Sequence, residues 1–437
     1  MSSEGKLLRA FLSGSAWAAL TKVLAIAAAF AVNAALTRLL DPAGFGTYLL
    51  ASSIATVASV MACLGLNNAV VRLLGQAPPE AARATLRQVL MVGGLGAVLA
   101  ALLVAGPLGE ALALQVFRSE LLLACLGWVA LWALALTLQS LLSESLRGIK
   151  RIAAAAFLGG PLAALGLALV LAVTLALGLE ITTATAVALA AVCTLLVLPL
   201  GSVLLLRHTS PGTGGRWLPL AELGGLALPM LMTNLSYLLL NQADLWVLGM
   251  FLAKQEVALY GAALQVAALV SFPLFVLNAV VPPYIAESSG PDSRSALQAS
   301  LRRATGLAGY AGLLAFAGCL LLGDWLLALI YGEFYREAYG LLAVIAVGRL
   351  ANLLAGPCGL VLLMTGSQWT MLWITAISGL LTVAAMAVVV RPFGAFGVAL
   401  VAAIAMALQN VAMLIFSRRN AGLWTHAQLN PRALLGS

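Results

Sequence analysis

Charge is almost missing from the long apolar stretches of this chain. Only 9% of its 437 residues are Asp, Glu, Lys or Arg, and of these only Lys22, Asp244 and Arg349 fall deep inside a hydrophobic run. Histidine is scarcer still: His208 and His426 stand far apart with no metal-ligand spacing. The five cysteines, Cys63, Cys125, Cys193, Cys319 and Cys358, are odd in number and lie in apolar surroundings. They read as small core hydrophobes and exclude a disulfide framework. Long loops are lacking too: no connection exceeds about 25 residues, so no separate catalytic domain hangs off the apolar part.

What is present is apolar. Hydrophobic residues make up 63% of the chain, more than a soluble protein of this length could hide from water. The runs are continuous over about 20 residues, enough to cross a hydrocarbon core of roughly 30 Å as a helix. They lack the period-two alternation of a membrane barrel. The fold class expected is therefore an all-α polytopic membrane protein. About twelve spans follow from length and hydropathy: 13–37, 45–66, 87–107, 120–142, 153–178, 181–206, 224–252, 258–281, 303–323, 339–364, 369–390 and 394–416. The basic start, Met1 to Arg9, runs straight into the first span and reads as a signal-anchor.

Charge sorting sets the orientation. With the N-terminus inside, 16 of the 23 Lys and Arg fall in cytoplasmic segments and five outside, the other two being Lys22 and Arg349. That bias is the positive-inside rule, and it accounts for the net charge of +8 without a nucleic-acid partner. Both termini are then cytoplasmic.

The halves repeat. Thr47-Tyr48 opens span two and Asn68-Ala69-Val70-Val71 closes it; Leu259-Tyr260 and Asn278-Ala279-Val280-Val281 do the same for span eight, at offsets of 212 and 210 residues. Six spans in each half give repeats of one orientation, related by a pseudo-two-fold along the membrane normal. The expected lobes are 1–212 and 213–437, the second with a short cytoplasmic tail.

Three places could carry chemistry. In span seven Asn234, Tyr237, Asn241 and Asp244 follow spacings of three, four and three, which makes one polar stripe. Asp244 reads either as a cavity-lining carboxylate for a cation, a proton or a substrate-binding base, or as a hydrogen-bonded structural acid. In span one Lys22 and Asn33 share a face, and Lys22 corresponds to Asn234 in the repeat; it reads equally as a lysine snorkelling to the headgroups. Lys22 and Asp244 should differ in depth by about 15 Å, too far to pair. In span ten Arg349 and Asn352 share a face ahead of Gly356-Pro357, which should kink the helix. Arg349 is either a phosphate ligand or a structural pin. Gln139 and Gln265 are weaker candidates. Glu144, beside Arg147, Lys150 and Arg151, reads as an interfacial ion-pair cluster.

Gly14-Ser15-Ala16-Trp17, the run Leu36-Thr37-Arg38-Leu39-Leu40-Asp41-Pro42-Ala43-Gly44-Phe45-Gly46-Thr47-Tyr48, then Leu64-Gly65-Leu66-Asn67-Asn68 and Arg72 resemble the opening of the polysaccharide transporter family. These are the oligosaccharide-lipid flippases of the multidrug/oligosaccharidyl-lipid/polysaccharide exporter superfamily. Asn241-Gln242-Ala243-Asp244, with Gly249 and Tyr260, resembles the region of its seventh span. The resemblance implies a flippase, not an enzyme, for an undecaprenyl-pyrophosphate-linked oligosaccharide in a bacterial inner membrane. It implies alternating access by two six-helix lobes around a basic cavity, with no cofactor. A Na+ or H+ gradient or the membrane potential would drive it, and polysaccharide polymerase or export proteins would be its partners. On that reading Lys22 and Arg349 bind phosphate and Asp244 couples or gates. Drug exporters usually place an acid in span one, where this chain has none, yet a multidrug/cation antiporter of the same fold is the alternative within transport. A membrane-embedded glycosyltransferase or polymerase is the alternative outside it, its acids and bases being Glu333, Arg336 and Glu337.

Overall fold

The computed structural model describes residues 3–76, 81–209, 217–281, 285 and 294–430. Every regular element among them is helical. The chain divides into two compact units, Met1–Leu238 and Leu239–Ser437.

The first unit is built from α1 (Ser3–Leu39), α2 (Pro42–Cys63), α3 (Leu66–Gln76), α4 (Ala82–Ala105), the short α5 (Pro107–Glu110) with a π-helical turn to Val116, α6 (Glu120–Gly148), α7 (Ile152–Leu158), α8 (Pro161–Ala176), α9 (Thr183–His208) and the first part of α10 (Leu220–Phe251). Its central element is α6, which packs against α2, α4 and α9. The Asp-Pro-Ala-Gly run shows why the second helix starts where it does. Asp41 is the N-cap, with its Oδ1 accepting from the Gly44 N–H at 3.2 Å, and Pro42 fills the first helical position, where no N–H is needed. A side chain at Gly44 would sit 2.7 Å from both the Asp41 carboxylate and the Thr183 hydroxyl, so only glycine lets that cap close.

The second helix ends earlier than hydropathy predicts. Leu64 (φ 50) and Gly65 (φ 79) turn the chain left-handed, and Asn68-Ala69-Val70-Val71 lies on the separate helix α3. The counterpart helix of the second unit runs unbroken to Val280, so the sequence repeat covers two different backbones. The lobe boundary expected from the repeat and the edge of the compact unit are different partitions. The unit continues into α10 because Gln88 grips Leu218 with both amide atoms (2.6 and 3.0 Å), and Leu223 and Ala227 join the core around Leu66, Val70 and Leu146.

The second unit holds the rest of α10, α11 (Lys254–Val280), α12 (Arg294–Tyr331), a 3-10 turn (Glu333–Ala338), α13 (Tyr339–Ala355), α14 (Cys358–Met364) and α15 (Gln368–Ala421). Here α13 is central, packed against α11, α12 and α15. Gly348 lets it approach α15: a Cβ there would lie 2.7 Å from the Ala403 Cα. The Gly356-Pro357 kink is a full break, with Gly356 at φ 76.

Nine helical stretches among the described residues are long and apolar enough to span a membrane. The 54-residue α15 counts once there, although Gly394 (φ 58, ψ −149) divides it into two spans. With α1 and α10 added, the total is the expected twelve. Leu196, Leu314, Leu321 and Val388 are each more than 70% exposed, a surface suited to lipid and not to water.

Candidate functional site

Asp244 lies on α10 and is only 9% exposed. Its Oδ2 accepts from the Tyr260 hydroxyl at 2.9 Å, and its Oδ1 accepts from the Leu245 N–H at 2.8 Å. Tyr260, on α11, is fully buried. Arg349, on α13, acts electrostatically on both groups but makes no ion pair with Asp244. Its Nε is buried without a hydrogen-bond partner among the described residues. Three helices thus bring a buried acid, a buried phenol and a half-buried base together. Burial disfavours the charge of a carboxylate so placed, and two donors and a nearby cation work against that penalty. The arrangement can exchange states: the acid can take up a proton, close on the arginine, or release the arginine to another anion.

The polar stripe of span seven divides. Asn241 is exposed and Asp244 buried, so the two do not share an environment. Asn234 is half-buried and accepts from Asn68 Nδ2 at 3.1 Å, with a longer 3.4 Å contact from its own Nδ2 to Asn67 Oδ1. The physical reason is helical drift: ten residues at 3.6 per turn leave Asn234 and Asp244 about 80° apart. Asn33 is half-buried, and both it and Asn241 are engaged with other groups. Asn352 is half-buried, one turn beyond Arg349 on the same helix. The side chains of Lys22 and Tyr237 lie outside the described residues.

Some participants carry no sequence signal for the part they play. Tyr260 stands 16 residues from Asp244 on the next helix, and only its likeness to the family's Tyr marks it. The C-terminal stretch reads in sequence as a mere tail, yet it is bound to the break after α13. Thr425 Oγ1 donates to Ala355 O and Ala427 N to Leu354 O, both at 2.8 Å. His426 Nε2 lies 3.0 Å from Arg302 Nη2. Burial and the Arg302 charge hold His426 below its ordinary value, that is, neutral. Among the described residues no three His, Cys, Asp or Glu are grouped to hold a metal.

The helices and their order are those of a multi-pass membrane protein of the MATE fold. An inward-facing multidrug resistance MATE family transporter of the MOP superfamily superposes with a TM-score of 0.67 at 15% identity, over 90% of this chain and 94% of that one. An outward-facing structure of such a transporter gives 0.63 at 14% identity, over 94% and 96%. The MATE multidrug transporter DinF-BH gives 0.62 at 16%, over 94% and 95%. No curated protein sequence matches the chain. Residues 35–340 match the family described as polysaccharide biosynthesis protein, and the chain belongs to that family.

Proposed function

We propose that the protein is a flippase that carries an undecaprenyl-pyrophosphate-linked oligosaccharide across a bacterial inner membrane by alternating access. The observation that carries this reading is the family match over residues 35–340 on a chain with a MATE-type fold. Polysaccharide biosynthesis needs lipid-linked sugars moved across the bilayer, and transporters of the neighbouring fold adopt both inward- and outward-facing forms. The charge bias supports cytoplasmic termini.

In this reading Arg349 receives the pyrophosphate, as a planar cation suited to bidentate phosphate contacts. Asp244 is its competitor. When the substrate leaves, the carboxylate draws Arg349 back, or takes up a proton or Na+ and lets the next substrate bind. Tyr260 holds the acid in place during the exchange. Lys22 is a second phosphate-binding candidate. Polysaccharide polymerase or export proteins would take the product on the outer face.

The test is export of the glycan in cells lacking their own flippase, with Asp244→Ala, Arg349→Ala and Lys22→Ala at matched expression. Wild type should restore surface glycan, and the Asp244 and Arg349 changes should each lower it about tenfold or more, the loss of one charge-assisted contact. Undiminished export in all three variants would end the charge-exchange mechanism, and no export by wild type would end the substrate assignment.

A further inference from the structure

The first unit contains a cavity of mixed apolar and polar lining that takes no part in the charge exchange at Asp244. Its volume is about 400 Å³, within the range of small-molecule pockets and equal to about a dozen waters at about 30 Å³ each. α1, α2 and α6 bound it, and its floor is the break between α7 and α8 at Gly159-Gly160-Pro161. Sequence predicts one unbroken span there, over 153–178. Non-helical backbone at membrane depth is tolerated where it lines a polar cavity, and interrupted helices of this kind hold polar ligands in membrane proteins.

The lining is built, not incidental. Gln139 is 3% exposed and Ser59 is 7% exposed. Gln139 Nε2 donates to Leu158 O, the last carbonyl of α7, at 2.7 Å. Its Oε1 has no partner among the described residues, and neither has the Ser59 hydroxyl. Both atoms belong to buried residues that line the cavity, where they are placed to pair with a polar occupant. Further along the same helix as Gln139, Glu144 and Arg147 form an ion pair at 3.0 Å, with side chains 18% and 49% exposed. A Cβ on Gly159 would lie 2.8 Å from the Ser143 hydroxyl, so the break closes onto α6 only because that residue is glycine.

We propose that this cavity is a saccharide subsite that takes one neutral, hexose-sized residue. The carboxylate and guanidinium neutralise each other, so the described lining carries no net charge to draw in a phosphate or a metal ion. Instead the wall offers acceptors (Glu144, Gln139 Oε1), a donor (Arg147) and hydroxyls that are both. Vicinal ring hydroxyls, each a donor and an acceptor, match that set. Val60, Leu136 and Pro161 supply apolar surface for the C–H faces of a ring. This deepens the export reading and rests on it only for the source of the sugar.

The experiment is saturation-transfer NMR on the purified full chain in nanodiscs, with the methyl glycosides of glucose, galactose, mannose and N-acetylglucosamine. At least one should receive saturation, and its affinity should fall about tenfold in Glu144→Gln and in Ala156→Phe, which fills the cavity. No transfer to any glycoside, or transfer unchanged in both folded variants, overturns the subsite. Displacement of the bound glycoside by inorganic phosphate on the wild-type protein overturns the neutral class without any variant. Binding seen only with a short-chain prenyl-pyrophosphate glycoside places recognition on the phosphate and also overturns it. A protein that binds methyl glycosides but exports nothing fails the flippase reading alone.

Discussion

Among single residues, Asp244 and Tyr260 set the energetics of the candidate site. The carboxylate has two hydrogen-bond donors, and the phenol supplies one of them. Removing that O–H leaves a buried oxygen short of a partner, which costs about 1–3 kcal/mol. Tyr260→Phe should therefore lower the stability of the detergent-solubilised protein by that amount in denaturant unfolding. The same change in an Asp244→Leu background should cost less, with a coupling of about 0.5–3 kcal/mol. Additive losses would show that the two side chains do not act as a pair. Asp244 itself is legible in sequence because a lone acid in an apolar run has few innocent explanations. Its partners are not, because nothing in a helical period links position 244 to 260 or to 349. Depth arithmetic argues against Lys22 as a partner, but it cannot nominate Arg349. Glu144 is visible as an ion pair, while the cavity beside it needs the fold.

At the level of elements, the breaks in the helices decide most of what sequence reading misses. Gly356-Pro357 announces its own break, since proline lacks the N–H that would continue the helix. Leu64-Gly65 and Gly159-Gly160-Pro161 offer similar residues, but the hydropathy around them stays high, and a span counted by length runs straight through. The break after α13 leaves a set of carbonyls without helical partners. The C-terminal strap satisfies two of them through Thr425 and Ala427. His426 fastens the same strap to Arg302, and Trp424 stacks edge-on against its ring at 5.5 Å. A ring held neutral in the folded state contributes stability that is present above its ordinary value of 6.5 and is lost as the pH falls below it. Protonation would put a second positive charge beside Arg302. Hydrogen exchange of the strap amides should therefore quicken, beyond the intrinsic pH trend, as the pH drops from roughly 8 to 5. The excess should vanish in His426→Asn, and an identical profile in that variant would remove His426 as the fastening.

For the whole molecule, the count of crossings and the orientation stand or fall together, and one experiment reads both. All five cysteines are buried, so an introduced thiol would be the reactive one. Arg151 lies exposed between α6 and α7, and Glu333, with its side chain 74% exposed, opens the turn between α12 and α13. Between these two points the chain makes five crossings: the interrupted α7–α8 pair, α9, α10, α11 and α12. Five is odd, so the two positions must face opposite sides of the membrane. Positive-inside sorting says which is which, since Arg147, Lys150 and Arg151 cluster at the first while acids outnumber bases at the second. Glu333→Cys should react with a membrane-impermeant maleimide in intact cells, and Arg151→Cys only after permeabilisation. Labelling of both from outside would mean that one of the five does not cross, with the interrupted α7–α8 pair the first suspect. Labelling of Arg151→Cys alone would keep the count and invert the protein. Inversion would place the saccharide cavity at the outer face, where it would meet the glycan after translocation and not before.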